Sequence, residues 1–69
     1  MKEMNIAIAV NEKFIRYACV MLTSVFENHP EIKIQVFVLY RQAEEEKLLY
    51  FAELAQKYSQ TIHLVKIPR

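Results

Sequence analysis

The chain alternates between two kinds of hydrophobic pattern. Residues 4–10 are a short uncharged run rich in Ile, Val and Ala, which predicts a strand buried on both faces, as in a parallel sheet. Residues 14–28 then place apolar side chains at three- and four-residue steps, the period of an amphipathic helix. This helix should end near residue 28, because Pro30 disfavours helical backbone in the residue before it.

Both patterns recur in the second half of the chain. Residues 32–40 begin with strict alternation, and at Phe37 and Leu39 the second face also turns apolar. We therefore expect the C-terminal end of this strand to be buried on both sides. Residues 43–58 predict a second helix and residues 61–67 a third strand. The first turn of the second helix would hold three consecutive glutamates, Glu44, Glu45 and Glu46. The helix dipole favours negative charge there.

The order strand, helix, strand, helix, strand, with short connections, predicts an α/β fold. It is a three-stranded parallel sheet (βαβαβ) with right-handed crossovers and spatial order 3-2-1, half of a Rossmann-like nucleotide-binding fold. Two crossovers in one direction put both helices on one sheet face. The other face and the edge of the first strand then stay uncovered, and such surfaces promote association. We expect a homo-oligomer through that edge or face, or a fragment of a longer chain.

Composition narrows the function classes. The chain has 69 residues, 9 Lys plus Arg and 8 Asp plus Glu, so it is one small domain without the basic footprint of a nucleic-acid-binding protein. It contains no glycine, which excludes the glycine-rich phosphate loops. Its apolar runs are shorter than the roughly 18 residues of a membrane span. With one cysteine, Cys19, and a poor signal peptide, we expect no transmembrane segment and a cytoplasmic setting.

Residues 4–29, MNIAIAVNEKFIRYACVMLTSVFENH, resemble the N-terminus of glycosyltransferase family 8, the retaining nucleotide-sugar enzymes that include bacterial lipopolysaccharide galactosyl- and glucosyltransferases. That family opens with a buried strand, a short acidic or amide loop, and a helix that carries Ser-Ile/Val and a later Asn. The matching features are residues 6–10, residues 11–14, Ser24 with Val25, and Asn28. The rest of the chain is similar to the family's second strand, second helix and third strand.

The resemblance implies a GT-A type fold whose N-terminal half binds a UDP-sugar, so that residues 1–69 form a single truncated nucleotide-sugar-binding subdomain. It implies that the backbone of Ala9 and Val10 and the side chain of Asn11 meet the uracil. It gives Phe14 the position of the ring that stacks on the base. Lys13 falls where the family often has an amide, and it would contact a phosphate or point into water.

The resemblance also implies Mn²⁺ in the intact family enzyme, held by an Asp-x-Asp motif. This chain contains no Asp, so we expect no metal ligand and no catalytic residue in it, and no transferase activity from it alone. The family implies a role in lipopolysaccharide biosynthesis, in the cytoplasm or peripheral to the inner membrane.

The same residues also have ordinary structural interpretations. Asn11 is also a typical helix N-cap, and Phe14 is also the first core residue of a helix. Residues 39–41 are a second place to look for a ligand, since ligands lie at the carboxyl ends of parallel strands. The alternative function is a non-catalytic, self-associating small α/β protein that uses the uncovered sheet face and the first-strand edge. A flavodoxin-like response module is disfavoured by the absence of Asp.

Overall fold

The computed structural model describes residues 2–43 and 45–68, which form two helices and three strands in the predicted order. The elements are β1 (Glu3–Val10), α1 (Ile15–Asn28), β2 (Lys33–Tyr40), α2 (Glu45–Tyr58) and β3 (Thr61–Lys66). Among the described residues, no helix is long and apolar enough to cross a membrane.

The three strands form one parallel sheet in the order β1-β2-β3. This confirms the predicted α/β fold, since 3-2-1 is the same order read from the other edge. Val10 pairs with Tyr40, and Tyr40 pairs with Lys66, so the three carboxyl ends lie level at one end of the sheet.

The hydrophobic core lies between the sheet and the two helices. Its centre is the helix-facing side of β2, where Ile34, Val36 and Val38 are fully buried. The helices contribute six buried side chains, Ile15, Ala18, Leu22, Phe26, Leu48 and Phe51. Burial of this apolar surface is the main favourable term for a domain of this size.

No helix among the described residues covers the opposite sheet face, and this corrects two expectations. Burial of β1 on both faces was wrong, because exposure alternates along the strand and Ala7 and Ala9 are exposed. Phe37 and Leu39 are only partly buried, so the C-terminal end of β2 is not enclosed on both sides either. Phe37 instead stacks on His63 of β3, with 4.7 Å between ring centroids.

The first helix begins one residue later than its apolar pattern predicted. Residues Glu12–Phe14 form a 3₁₀ turn, and α-helix begins at Ile15. The turn forms because Asn11 has extended backbone and caps it. The second helix begins at Glu45 rather than near residue 43. Glu44, predicted in its first turn, lies outside the described residues.

The second helix ends in a Schellman motif. The Gln60 N–H donates to the Ala55 carbonyl at 2.9 Å, and the Ser59 N–H donates to the Gln56 carbonyl at 3.3 Å. Ser59 has φ 55°, the left-handed conformation that usually falls to glycine at this position. A chain without glycine therefore places a serine there and carries the steric cost of its Cβ.

Candidate functional site at the carboxyl end of the sheet

The loop after β1 is shaped by Asn11. Its side-chain Oδ1 accepts a hydrogen bond from the Phe14 N–H at 3.0 Å, and its backbone carbonyl accepts from the same N–H at 3.0 Å. The N-cap interpretation of Asn11 therefore describes what this residue does in the fold. The cap engages only Oδ1, so the Nδ2 group remains as a donor for a ligand.

Phe14 ends the turn, and its ring faces solvent. Its side chain is 56% exposed, so Phe14 is not a core residue of α1. Its nearest aromatic neighbour is Tyr17, itself 70% exposed, with 6.2 Å between centroids and 56° between ring planes. The two rings are tilted against each other, so each offers its own exposed face to a planar ligand. Tyr17 was missed as a site candidate, although its three-residue spacing from Phe14 was visible.

An open cleft of about 400 Å³ lies where β1 and β2 end. It is lined by the predicted residues Ala9, Val10 and Asn11, by the predicted end of β2 at residues 39–41, and by Gln42 and Ile67. The structure thus brings together two segments that the sequence proposed separately. Ile67 reaches the cleft because its backbone N–H donates to the Tyr40 carbonyl at 2.7 Å. No sequence signal pointed to Gln42 or Ile67.

Lys13 lies beside this cleft rather than in it. It lines an adjoining depression with Asn11, Glu12 and Gln42, and its side chain is exposed. Gln42 and Asn11 line both hollows, so the two are continuous. Phe14 lines neither hollow and stands at the end of the loop that borders them.

The charge around the cleft is mixed and solvated. Arg41 lines the cleft and is exposed, as is Lys13. The Glu12 carboxylate lies 3.9 Å from the Lys47 ammonium, and both side chains are about two-fifths exposed (38% and 43%). Such a surface pair contributes little to stability, but it ties the loop after β1 to the start of α2. Lys47 was not foreseen as part of this region.

The described residues do not form a metal site. Within residues 2–43 and 45–68, no three His, Cys, Asp or Glu side chains come together to hold an ion. Carboxylate oxygens are what a hard cation at a diphosphate needs, and none lines the cleft. The residues present therefore do not fit Mn²⁺ by themselves.

A separate groove of about 410 Å³ runs between α1 and α2 and contains no predicted site residue. Cys19 lines it, half-buried. Burial raises the pKa of the Cys19 thiol, because desolvation disfavours the thiolate. A protonated thiol is a poor nucleophile, so this environment does not activate Cys19.

The comparisons with known proteins agree with the order of elements. The family model described as glycosyl transferase family 8 matches residues 5–69. The match begins in β1 and continues past the end of β3. Searches of curated proteins and of solved structures gave no match.

Proposed function

Since this chain belongs to glycosyl transferase family 8, we propose that the carboxyl end of its sheet binds the uridine diphosphate part of a UDP-sugar donor. The proteins of this family are glycosyl transferases, so the family match supports glycosyl transfer as the general activity. Our proposal concerns the donor and the residues that hold it.

One observation carries the proposal: the ends of β1 and β2, with Asn11 and Gln42 that follow them, line a cleft of about 400 Å³. Ligands of open parallel sheets bind outside the carboxyl ends of the strands. Phe14 is exposed and ends the turn that follows Asn11. Concave, partly apolar sites with a few polar groups are typical of small-molecule binding.

The family resemblance gives each predicted residue a role. Phe14 stacks on the uracil ring, for which its exposed side chain is available. Asn11 donates from Nδ2, because its Oδ1 already holds the turn. The strand end at Ala9 and Val10 supplies backbone groups to the base. Lys13, exposed on the adjoining depression, contributes positive charge to the diphosphate.

The finer parts of the proposal come from the family resemblance. They are transfer with retention of configuration, a role in lipopolysaccharide biosynthesis, a cytoplasmic or peripheral membrane location, and Mn²⁺ in an intact enzyme. For this chain we propose donor binding without transfer, since the cleft lining holds no carboxylate. A purely self-associating protein is not favoured as the function, because the family match points to a transferase.

The experiment is a UDP titration of three forms of the chain: unchanged, Phe14→Ala and Leu49→Ala. Leu49 is a matched control, because it is 57% exposed, against 56% for Phe14, and lies in α2. Base–aromatic stacking contributes about 1–3 kcal/mol, so Phe14→Ala should raise the Kd for UDP about five- to 150-fold. Leu49→Ala should leave it unchanged. Equal affinity of the two variants would show that Phe14 does not hold the base.

A further inference from the structure

The groove between α1 and α2, which we call the α1–α2 groove, has a volume of about 410 Å³. That volume is in the range of small-molecule sites. One wall contains Cys19, Val20 and Thr23 of α1, and the other contains Tyr50 and Leu54 of α2. Its lining spans seven helical steps on each helix, residues 16–23 and 50–57, which is a length of about 10 Å.

The polar atoms of the groove walls are already satisfied or uncharged. The Thr23 hydroxyl donates to the Cys19 carbonyl at 2.8 Å. Burial raises the pKa of the Cys19 thiol, so the thiol is neutral and behaves as a small apolar group. Val20 is 66% exposed although its side chain is apolar. The walls therefore suit an apolar chain better than a polar ligand.

One end of the groove opens into a second hollow, which we call the basic hollow. It has a volume of about 260 Å³ and shares Arg16 and Tyr50 with the groove. Lys13 and Lys47 also line it, and the carboxylate in its lining is that of Glu12, 3.9 Å from the Lys47 ammonium. Three basic side chains thus stand against one acidic side chain. The first turn of α1 contains no acidic residue, so the helix dipole also favours an anion here.

The positive charge is confined to this end. At the other end the groove is lined by Glu53 and Lys57, whose charges cancel. Over residues 12–28 and 45–58 together, four basic side chains face five acidic ones. A membrane surface attracts clusters of basic residues over a wide face, whereas this charge distribution suits one anionic group at one end of a groove.

We propose that the α1–α2 groove and the basic hollow together bind a free, single-chain anionic amphiphile. Its acyl chain lies between the helices, and its carboxylate or phosphate head group lies at Arg16 and Lys47. A guanidinium group suits such an anion because it donates two parallel hydrogen bonds. The groove length matches an extended chain of about eight carbons, at C–C bonds of about 1.5 Å. No residue lines both this groove and the cleft at the carboxyl end of the sheet, so the proposal does not depend on uridine binding.

The test is an amide chemical-shift titration of the unchanged chain with octanoate, hexanoate, decanoate, acetate and 1-octanol, without nucleotide. We expect saturable shifts with octanoate in residues 16–23 and 50–57. A fully buried methylene group strengthens binding about fourfold, and this groove is open on one side, so octanoate should bind about four- to fifteenfold more tightly than hexanoate. Decanoate should gain little more, because its chain is longer than the groove. Acetate and 1-octanol each lack one half of the ligand and should bind at least about fivefold more weakly than octanoate.

Two pairs of variants separate the head group from the chain. Arg16→Gln should raise the Kd for octanoate about fivefold or more, whereas Arg41→Gln, the same change outside both hollows, should leave it unchanged. Val20→Ser should raise it about threefold or more. Met21→Ser is its control, because Met21 is the next residue of α1, is 44% exposed and lines neither hollow. All four side chains are exposed, so these changes leave the core intact.

Several results would overturn the proposal. Equal affinity for acetate and octanoate would show a simple anion site, and equal affinity for 1-octanol and octanoate would show that the basic hollow takes no part. Equal effects of Arg16→Gln and Arg41→Gln would contradict the position of the head group. Binding to anionic phospholipid vesicles that octanoate does not compete with would make a membrane surface the partner instead. No saturable shifts with any chain length would show that the groove binds no amphiphile.

Discussion

Replacing Gln60 with methionine should lower the free energy of unfolding more than the same replacement at any other glutamine of the chain. The Gln60 side chain continues the β2–β3 pairing before β3 begins: Nε2 donates to the Ile32 carbonyl at 2.9 Å, and Oε1 accepts from the Ile34 N–H at 2.8 Å. The side-chain amide of Gln60 therefore makes the two hydrogen bonds to β2 that a further backbone residue of β3 would make. Methionine keeps the length and removes both bonds.

The magnitude follows from those two bonds. Each contributes about 0.5–1.5 kcal/mol net, so the free energy of unfolding should fall by about 1–3 kcal/mol. A chain of 69 residues has a total stability of only about 3–10 kcal/mol. Each kcal/mol lowers the Tm by about 4–8 °C in a domain of this size. The loss is thus large enough to see in a simple thermal melt.

The assay is urea and thermal unfolding of the unchanged chain, Gln60→Met and Gln56→Met. Gln56 is an exposed residue of α2, so the same chemical change there should alter stability by less than about 0.5 kcal/mol. Equal effects of the two substitutions would refute the reasoning, because only Gln60 has bonds to β2 to lose.

Gln60→Glu adds a pH test with a definite sign. The new carboxylate would face the Ile32 carbonyl, which disfavours its charged form and raises its pKa. The stabilisation that the protonated carboxyl group gives the folded chain is then present at low pH, and it is lost as the pH rises through that raised pKa. The difference in the free energy of unfolding between Gln60→Glu and the unchanged chain should therefore become smaller as the pH falls. A gap that widens would contradict the hydrogen-bond assignment.

Three further changes test local features. Ser59→Gly should raise the free energy of unfolding by up to about 1 kcal/mol in urea melts, since glycine adopts φ 55° without strain; a loss would contradict the strain argument. The Glu27 carboxylate accepts a hydrogen bond from the Tyr58 hydroxyl at 2.6 Å, and this bond raises the pKa of Tyr58. This stabilisation is present below about pH 10 and lost as pH rises through the raised pKa, so melting curves of the unchanged chain and Tyr58→Phe should converge at alkaline pH rather than diverge. Asn11→Ala should cost about 0.5–2 kcal/mol by removing the cap on Phe14, whereas Asn11→Asp should keep most of it in the same melts.

The order of elements was predictable because the hydrophobic periodicity and the residues that end each element agree along the chain. Alternation at residues 32–36, helical spacing at residues 14–28 and the break at Pro30 each specify one local structure. Parallel strand order then follows from the handedness of crossovers. The same reasoning predicted that one sheet face would stay uncovered.

What the pattern did not predict depends on three-dimensional neighbours. The two-faced apolar run of β1 indicated full burial, but burial needs an element on each side, and only one side has helices. The bonds of Gln60 to β2 depend on a tertiary approach across 26 and 28 positions. The Tyr58 hydroxyl donates to the Glu27 carboxylate of the other helix, a contact across 31 positions that the sequence pattern does not specify.

The candidate site was predictable in part for a similar reason. Ends of parallel strands meet at one edge, so residues 9–11 and 39–41 could be placed together from topology. Gln42 and Ile67 enter the cleft through the path of the backbone after each strand, which no periodicity describes. The exposure of Phe14 depends on the 3₁₀ turn, a local structure set by one side-chain cap.

The most direct test of the nucleotide-binding account is an amide chemical-shift map of the unchanged chain titrated with UDP. The account predicts saturable shifts at residues 9–14 and 40–42, which border the cleft. Shifts confined to the groove between α1 and α2, around Cys19 and Thr23, would place the nucleotide elsewhere. No shifts at millimolar UDP would contradict the central claim that this sheet edge binds the donor.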